Sequence, residues 1–180
     1  MRLEKEKFYR ILAPRTTVLI STVDKDGNAN AAPFSFVMPV SSNPPLVAFA
    51  SAPRRDTLAN IRETKEFVLN VPSEDVLERL WICSEKFPKG ISEIEQASLT
   101  EMKSSIVSVP RIEESIGWLE CVFEFEKEAG DHVIVVGRIK DVEVKDIFMK
   151  DGNLDIPKAR PVLHVTGETF SFAERMRIIK

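Results

Sequence analysis

The stretch from Thr16 to Phe36 limits the fold of this chain more than any other. Thr16 to Val23 is rich in β-branched residues and reads as a strand. Asp24-Lys25-Asp26-Gly27-Asn28 then turns the chain, and Gly27 and Asn28 supply the positive φ that a tight turn needs. The chain returns through Ala29 to Phe36. Strand segments this close in sequence leave no room for a helical crossover. They pair antiparallel, which disfavours a doubly wound parallel sheet.

The rest of the chain continues in that manner. Ser41-Ser42-Asn43-Pro44-Pro45 is a break, and Leu46 to Ser51 is a short apolar, buried strand. Leu58 and Ile61 at helical spacing predict a short helix over Thr57 to Thr64, followed by a strand from Glu66 to Val71. Val76, Leu77, Leu80 and Trp81 predict an amphipathic helix between Glu74 and Glu85, stopped by Pro88-Lys89-Gly90. Short helical pieces are also expected at Phe8 to Leu12 and Glu93 to Ala97. In Leu119 to Phe125, Leu119, Cys121, Phe123 and Phe125 alternate with Glu120, Val122 and Glu124, the pattern of a sheet with one wet face. Ala129-Gly130-Asp131 turns into a further strand, His132 to Val144, and Val162 to Val165 and Phe170 to Phe172 are apolar pieces in the tail. Many short strands with few helices predict a mainly β chain, an antiparallel barrel or sandwich with helical insertions.

A chain of 180 residues with 43% hydrophobic residues can bury one core, so a single domain over 1–180 is expected. The net charge of −3 argues against a nucleic-acid backbone as partner. Cys83 and Cys121 have no metal-ligand or redox spacing, which fits reduced thiols. The start MRLEKEKFYR has no apolar core of a signal peptide, and no apolar run has membrane-spanning length. A soluble, cytoplasmic protein is the expectation. Neither GxGxxG nor GxxxxGK[ST] occurs.

Ser51-Ala52-Pro53-Arg54-Arg55-Asp56-Thr57 is the segment best suited to chemistry. A strand ends, two arginines follow and a helix begins. Free N–H groups and the helix dipole at such a start favour an anion, and arginine grips phosphate through its planar fork. Asp56 is a possible cap. The same loop also reads as a solvated connection. In Asn30 to Phe36, small alanines and Pro33 indicate an edge strand or a bulge that another group can approach closely. His132 follows a glycine turn at a hairpin mouth, where an imidazole can face a ligand or simply the solvent. His164 is the other histidine of the chain, and no Ser/His/Asp, Cys/His or metal-ligating set is evident.

Several of these pieces, in consistent order, resemble the flavin reductase-like family of FMN-binding split barrels, and in particular its flavoredoxin-like members. They are Pro14-Arg15, Ser21 to Phe36, Asn43-Pro44-Pro45, Arg54 to Ile61, Glu66 to Pro72, Phe87 to Glu95, Leu119 to Cys121 and Gly130 to Arg138. The resemblance implies a six-stranded antiparallel split β-barrel with flanking helices, a homodimer, and FMN in a groove near the dimer interface. It implies that Ser51, Ala52, Arg54, Arg55 and Thr57 form the phosphate loop. Ser35, Phe36 and Val37 would meet the isoalloxazine ring or the ribityl chain. His132 matches the histidine of the family's Gly-Asp-His motif, associated with nicotinamide binding. Where relatives carry lysine, Arg55 keeps the charge; where they carry Pro-Arg-Pro, Thr16 follows Arg15, which leaves a cofactor role for Arg15 open.

The function so implied is an oxidoreductase passing hydride or electrons from NAD(P)H through FMN to a small acceptor. The alternatives are an FMN electron carrier serving a redox protein, a ferric reductase of the same fold, or a barrel that has lost its cofactor. No metal, nucleic acid or membrane partner is expected.

Overall fold

The computed structural model describes residues 2–88, 90–177 and 179. Lys89, in the expected Pro88-Lys89-Gly90 stop, lies outside the described residues. A 3-10 helix, Lys5–Arg10, leads into β1 (Arg15–Thr16), β2 (Val18–Val23), β3 (Ala29–Phe34), β4 (Val37–Ser42) and β5 (Pro45–Ser51). Then come α1 (Asp56–Thr64), β6 (Glu66–Val71), α2 (Leu77–Ile82), α3 (Glu93–Gln96), β7 (Glu101–Met102) and β8 (Arg111–Ile112). The long hairpin β9 (Gly117–Ala129) and β10 (His132–Val144) follows. The chain continues through β11 (Met149–Lys150), β12 (Asn153–Leu154), α4 (Ile156–Ala159), β13 (Val162–Thr166) and β14 (Thr169–Phe172).

The main sheet has seven strands in the order β3-β2-β6-β9-β10-β5-β4, every pair antiparallel. The mainly antiparallel β expectation holds, with seven strands in place of six. The order itself forces closure. β3 and β4 lie at opposite ends of the sheet, which in a flat sheet would set them about 29 Å apart. Yet only Ser35 and Phe36 join them, a link that spans at most about 11 Å. The sheet therefore curls until its two edges meet. The Phe34 ring of β3 packs edge to face on the Phe49 ring of β5 at 4.9 Å, across the line of closure. The barrel is split along this line.

The interior holds Val18, Ile20, Val47, Phe49, Phe67, Leu69, Val133 and Val135, with Leu58 and Ile61 of α1 packed on it. Each of these large side chains contributes about 1.5–3 kcal/mol by leaving water. A second cluster packs Leu80, Cys83, Ile94 and Ile112 against Leu19 and Ala31 on the outer face of the sheet. β2 is thus buried on both sides, and its two polar residues are hydrogen-bonded: Ser21 Oγ donates to Pro110 carbonyl at 2.6 Å and Thr22 Oγ1 accepts from Asn60 Nδ2 at 3.1 Å.

Four expectations are corrected. The returning strand ends at Phe34 instead of Phe36, and β4 is a separate strand beyond the split. The Glu74 to Glu85 helix shortens to a 3-10 turn, Glu74–Val76, followed by α2. Asp56 is not the cap of α1; Arg55 occupies that position, with no side-chain bond. The alternation in β9 does not leave a wet face at Glu120, which is 0% exposed. There the segment from Ser104 to Val109 folds over the strand. Glu120 accepts from the N–H groups of Ser105, Ile106 and Val107 and from Arg111. Burial, the largest influence, pushes this carboxyl up, but those four donors outweigh it and hold it below the ordinary glutamate range.

No helix among the described residues is long and apolar enough to cross a membrane.

Candidate functional site

The split positions the site. Pro33 removes a ladder donor, which suits its place in the edge strand β3. Beyond it, Ser35 and Phe36 leave the ladder and stand between the two sheet edges. The small sheet β1-β13-β14 lies beside them and pairs Arg15 directly with His164, and His164 with Phe170. Arg15 Nη1 donates to Tyr9 carbonyl at 2.6 Å, and its Nη2 reaches His164 Nδ1 at 3.0 Å and Val165 carbonyl at 3.2 Å. Ser35 Oγ lies 3.1 Å from the same Nδ1. The Arg15 guanidinium also sits over the rings of Tyr9 and Phe36, at 5.8 and 5.6 Å. Its Nε–H is buried without a hydrogen-bond partner, and none of the ion pairs among the described residues involves Arg15.

Three cavities meet at Ser35. The first, about 390 Å³, has an apolar wall of Phe36, Val37, Met38, Ala48, Ala50 and Ile134, with Tyr9 and Arg15 at one side. The second, about 220 Å³, runs past Phe36, Ala50, Ala52, Arg55, Ser84 and His132. The third, also about 220 Å³, lies against Leu80, Trp81, His164 and Phe170. A larger hollow of about 720 Å³ opens elsewhere, between the 24–28 turn and α1. Its walls carry Asp24, Asp26, Asp56, Glu63, Glu95 and Glu101 against Lys25 and Arg62, a net negative lining that disfavours an anion, and it holds none of Ser35, Phe36, Val37, Ser51, Ala52, Arg54, Arg55, Thr57 and His132.

The structure brings Ser35, Phe36, Ala52, Arg55 and His132 to one cavity and Val37 to the next. His132 Nδ1 lies 2.7 Å from Asp131 Oδ1, and its ring lies 5.7 Å from that of Phe36 at an interplanar angle of 34°. The bond to His132 holds the Asp131 carboxyl below its usual range. Gly130, with φ +66°, makes the turn that delivers this pair to the mouth of the groove. The other expected residues are placed differently. Arg54 is exposed and lines none of these cavities. Ser51 is buried and its Oγ donates to Ala52 carbonyl at 3.2 Å. Thr57 is also buried, and its hydroxyl donates to Asn30 Oδ1 at 3.3 Å.

At the phosphate-type end, the N–H groups of Asp56 and Thr57 begin α1 without an acceptor in their own helix. Arg55 stands beside them, and none of the ion pairs among the described residues involves it or Arg54. An unpaired guanidinium, free helix N–H groups, an apolar wall and an unsatisfied Arg15 donor fit a molecule with a flat apolar body and an anionic tail. Thiol chemistry is not available here. Burial pushes Cys83 and Cys121 up to about 12, so at neutral pH both stay protonated.

Sequence reasoning left Arg15 open and did not identify His164, Tyr9 or Ile134. The first two are joined by a β1–β13 pairing across 149 positions, which no local pattern reveals.

Residues 9–170 match the profile of the flavin reductase like domain. A curated relative from Methanothermobacter thermautotrophicus is 37% identical over 163 residues, which cover 87% of this chain and 77% of the relative. The solved structure of nitrilotriacetate monooxygenase component B from Bacillus cereus superposes with a TM-score of 0.88 at 26% identity, covering 99% of this chain and 95% of that one. Flavoredoxin of Desulfovibrio vulgaris (Miyazaki F) superposes with a TM-score of 0.85 at 21% identity, covering 93% and 91%, a likeness of fold.

Proposed function

The chain belongs to the flavin reductase-like domain family, and we propose that it holds FMN in the groove beside Ser35 and passes hydride or electrons from NAD(P)H to a small acceptor. The observation that carries this reading is the meeting of three elements along one split. They are the unpaired Arg55 at the start of α1, the apolar wall around Phe36 and Val37, and His132 at the mouth.

Bound FMN would supply the electron-transfer chemistry. Arg55 would grip the phosphate together with the N–H groups of Asp56 and Thr57, and Arg54 would add charge from the flank. Ser51 and Ala52 shape this loop, since the buried Ser51 hydroxyl ties it down from within. Ser35, Phe36 and Val37 would line the ring or ribityl chain and keep water from it. His132, steadied by Asp131 and by the Phe36 face, would orient a nicotinamide at the opening. Phe8, Leu12 and Met38 are exposed beside the groove, and Ile11 and Val40, close to them in the chain, are exposed as well. A second copy of the chain covering them would complete a homodimer with FMN near its interface.

The test is the visible spectrum of the purified protein, followed by NADH and then NADPH under nitrogen. A yellow protein bleached by one nucleotide is the expected result. A yellow protein that neither nucleotide bleaches would replace the reductase reading with an electron carrier for a protein partner. A colourless protein that also fails to bind added FMN would overturn the assignment.

A further inference from the structure

His164 is neither at the mouth of the groove nor in the phosphate loop, yet it touches both polar groups at the centre of the split. Its chemistry follows from its neighbours. Nε2 lies 3.0 Å from Gly167 carbonyl, which only accepts, so Nε2 carries the proton. Nδ1 lies 3.0 Å from Arg15 Nη2, which only donates, so Nδ1 is bare and accepts. A second proton on the ring would set N–H against N–H and one positive charge against another. Ser35 Oγ, at 3.1 Å from the same Nδ1, must then donate its one hydrogen to it. The Ser35 oxygen keeps only lone pairs for the groove.

We propose that His164 is a positioning residue: a neutral, Nε2-protonated imidazole that makes Ser35 a hydrogen-bond acceptor toward the bound molecule and holds Arg15 beside it without cancelling its charge. The groove at Ser35 is thereby set to receive an N–H or O–H of the ligand, while Arg15 favours electron-rich or anionic atoms nearby. An imide or a polyol edge has such a donor; a ligand offering only acceptors there meets lone pair against lone pair. The family reading enters only in naming FMN as the molecule received. The imidazole arrangement itself stands apart from it.

Two measurements test this. The first is a long-range ¹H–¹⁵N correlation spectrum of the full chain without added flavin at neutral pH. The two histidines are told apart by the His132→Gln variant. The expected pattern for His164 is a neutral ring protonated at Nε2. A ring protonated at Nδ1, or at both nitrogens, overturns the proposal. The second is FMN affinity by flavin fluorescence for His164→Asn and His164→Leu. Asparagine places an acceptor oxygen where Nδ1 stands, so its Kd should stay within about threefold of the parent. Leucine removes the acceptor, leaves Ser35 free to turn its hydrogen toward the ligand, and should raise Kd about tenfold, the worth of one hydrogen bond. Equal losses in both variants would show that the Gly167 contact alone matters, and no loss in either would show that Ser35 does not need His164; each result overturns the proposal. Should the parent protein bind no FMN, the flavin reading fails while the spectrum still decides the imidazole arrangement.

Discussion

Replacing Glu120 with glutamine tests the least expected feature of the core. The carboxylate is fully buried and divides its work evenly. Oε1 accepts from Ser105 N–H at 2.7 Å and Arg111 Nε at 2.7 Å, and Oε2 accepts from Ile106 N–H at 2.6 Å and Val107 N–H at 3.1 Å. Glutamine has nearly the same shape, but its NH₂ group must face one of these donor pairs. At least two hydrogen bonds are lost, the donors there are left facing a donor, and the buried Arg111 loses its buried counter-charge, keeping as charged partners Asp141 and Glu143, both closer to solvent. Removing one partner of such a buried pair costs about 3–5 kcal/mol. For a chain of this size that lowers Tm by about 6–20 °C. The assay is thermal unfolding followed by circular dichroism, between about pH 3 and pH 8. The folded-state carboxyl titrates below its unfolded value of about 4.3. Its stabilisation is therefore fully present above that value and is lost as pH falls through the folded value. The gap between parent and variant should stay level from about pH 5 to pH 8 and close on acidification. A Tm within about 2 °C of the parent at neutral pH, or a gap that widens in acid, would refute the reasoning.

Gly137→Ala should cost about 3 kcal/mol in urea unfolding, at the top of the overpacking range. A Cβ there would lie 2.3 Å from Phe67 Cζ and 2.7 Å from its Cε1, and that ring is fully buried against Phe49. A loss under about 1 kcal/mol would mean that the ring can shift. Arg55→Ala should raise the Kd for FMN by about tenfold or more, the worth of a charge-assisted contact, while Arg54→Ala should change it less than about threefold. Fluorescence titration decides; the opposite ranking would move the phosphate to the other arginine.

Local chemistry made the hairpins readable. Gly27 and Gly130 do take positive φ, at +87° and +66°, in the two turns that the sequence marks most clearly; Asn28, expected to share that role, does not, and instead ties the turn by donating from its backbone N–H and its Nδ2 to the Asp24 carboxylate. The apolar run of β5 and the spacing of Leu58 and Ile61 likewise describe their immediate surroundings, and the structure buries them accordingly. The alternation fails at Glu120 for a physical reason. Alternation reports which face a side chain takes, not what the rest of the chain lays over that face. The covering segment at Ser104 to Val109 and its partner Arg111 show no periodicity of their own. β4 leaves no separate mark in the sequence because Val37 to Ser42 follows the returning strand after only two residues, and the break between them is made by closure of the barrel. The candidate site was legible in part. Ser35, Phe36, Arg55 and His132 converge, because each ends or interrupts an element whose position the strand order dictates. Arg15 and His164 form their pair only through the small β1-β13-β14 sheet, which joins the two ends of the chain.

The split has a thermodynamic consequence. The closure line of the barrel is also the groove, so the strands that meet there, β3 and β4, are sheet edges and not ladder-bonded neighbours. A molecule seated between them acts as a missing structural member as well as a guest. By mass action it adds RT ln(1 + [L]/Kd) to the stability of the chain, about 2.7 kcal/mol when the free ligand stands at a hundred times its Kd. The unfolding temperature of this protein is in that sense a gauge of how much of its groove is filled.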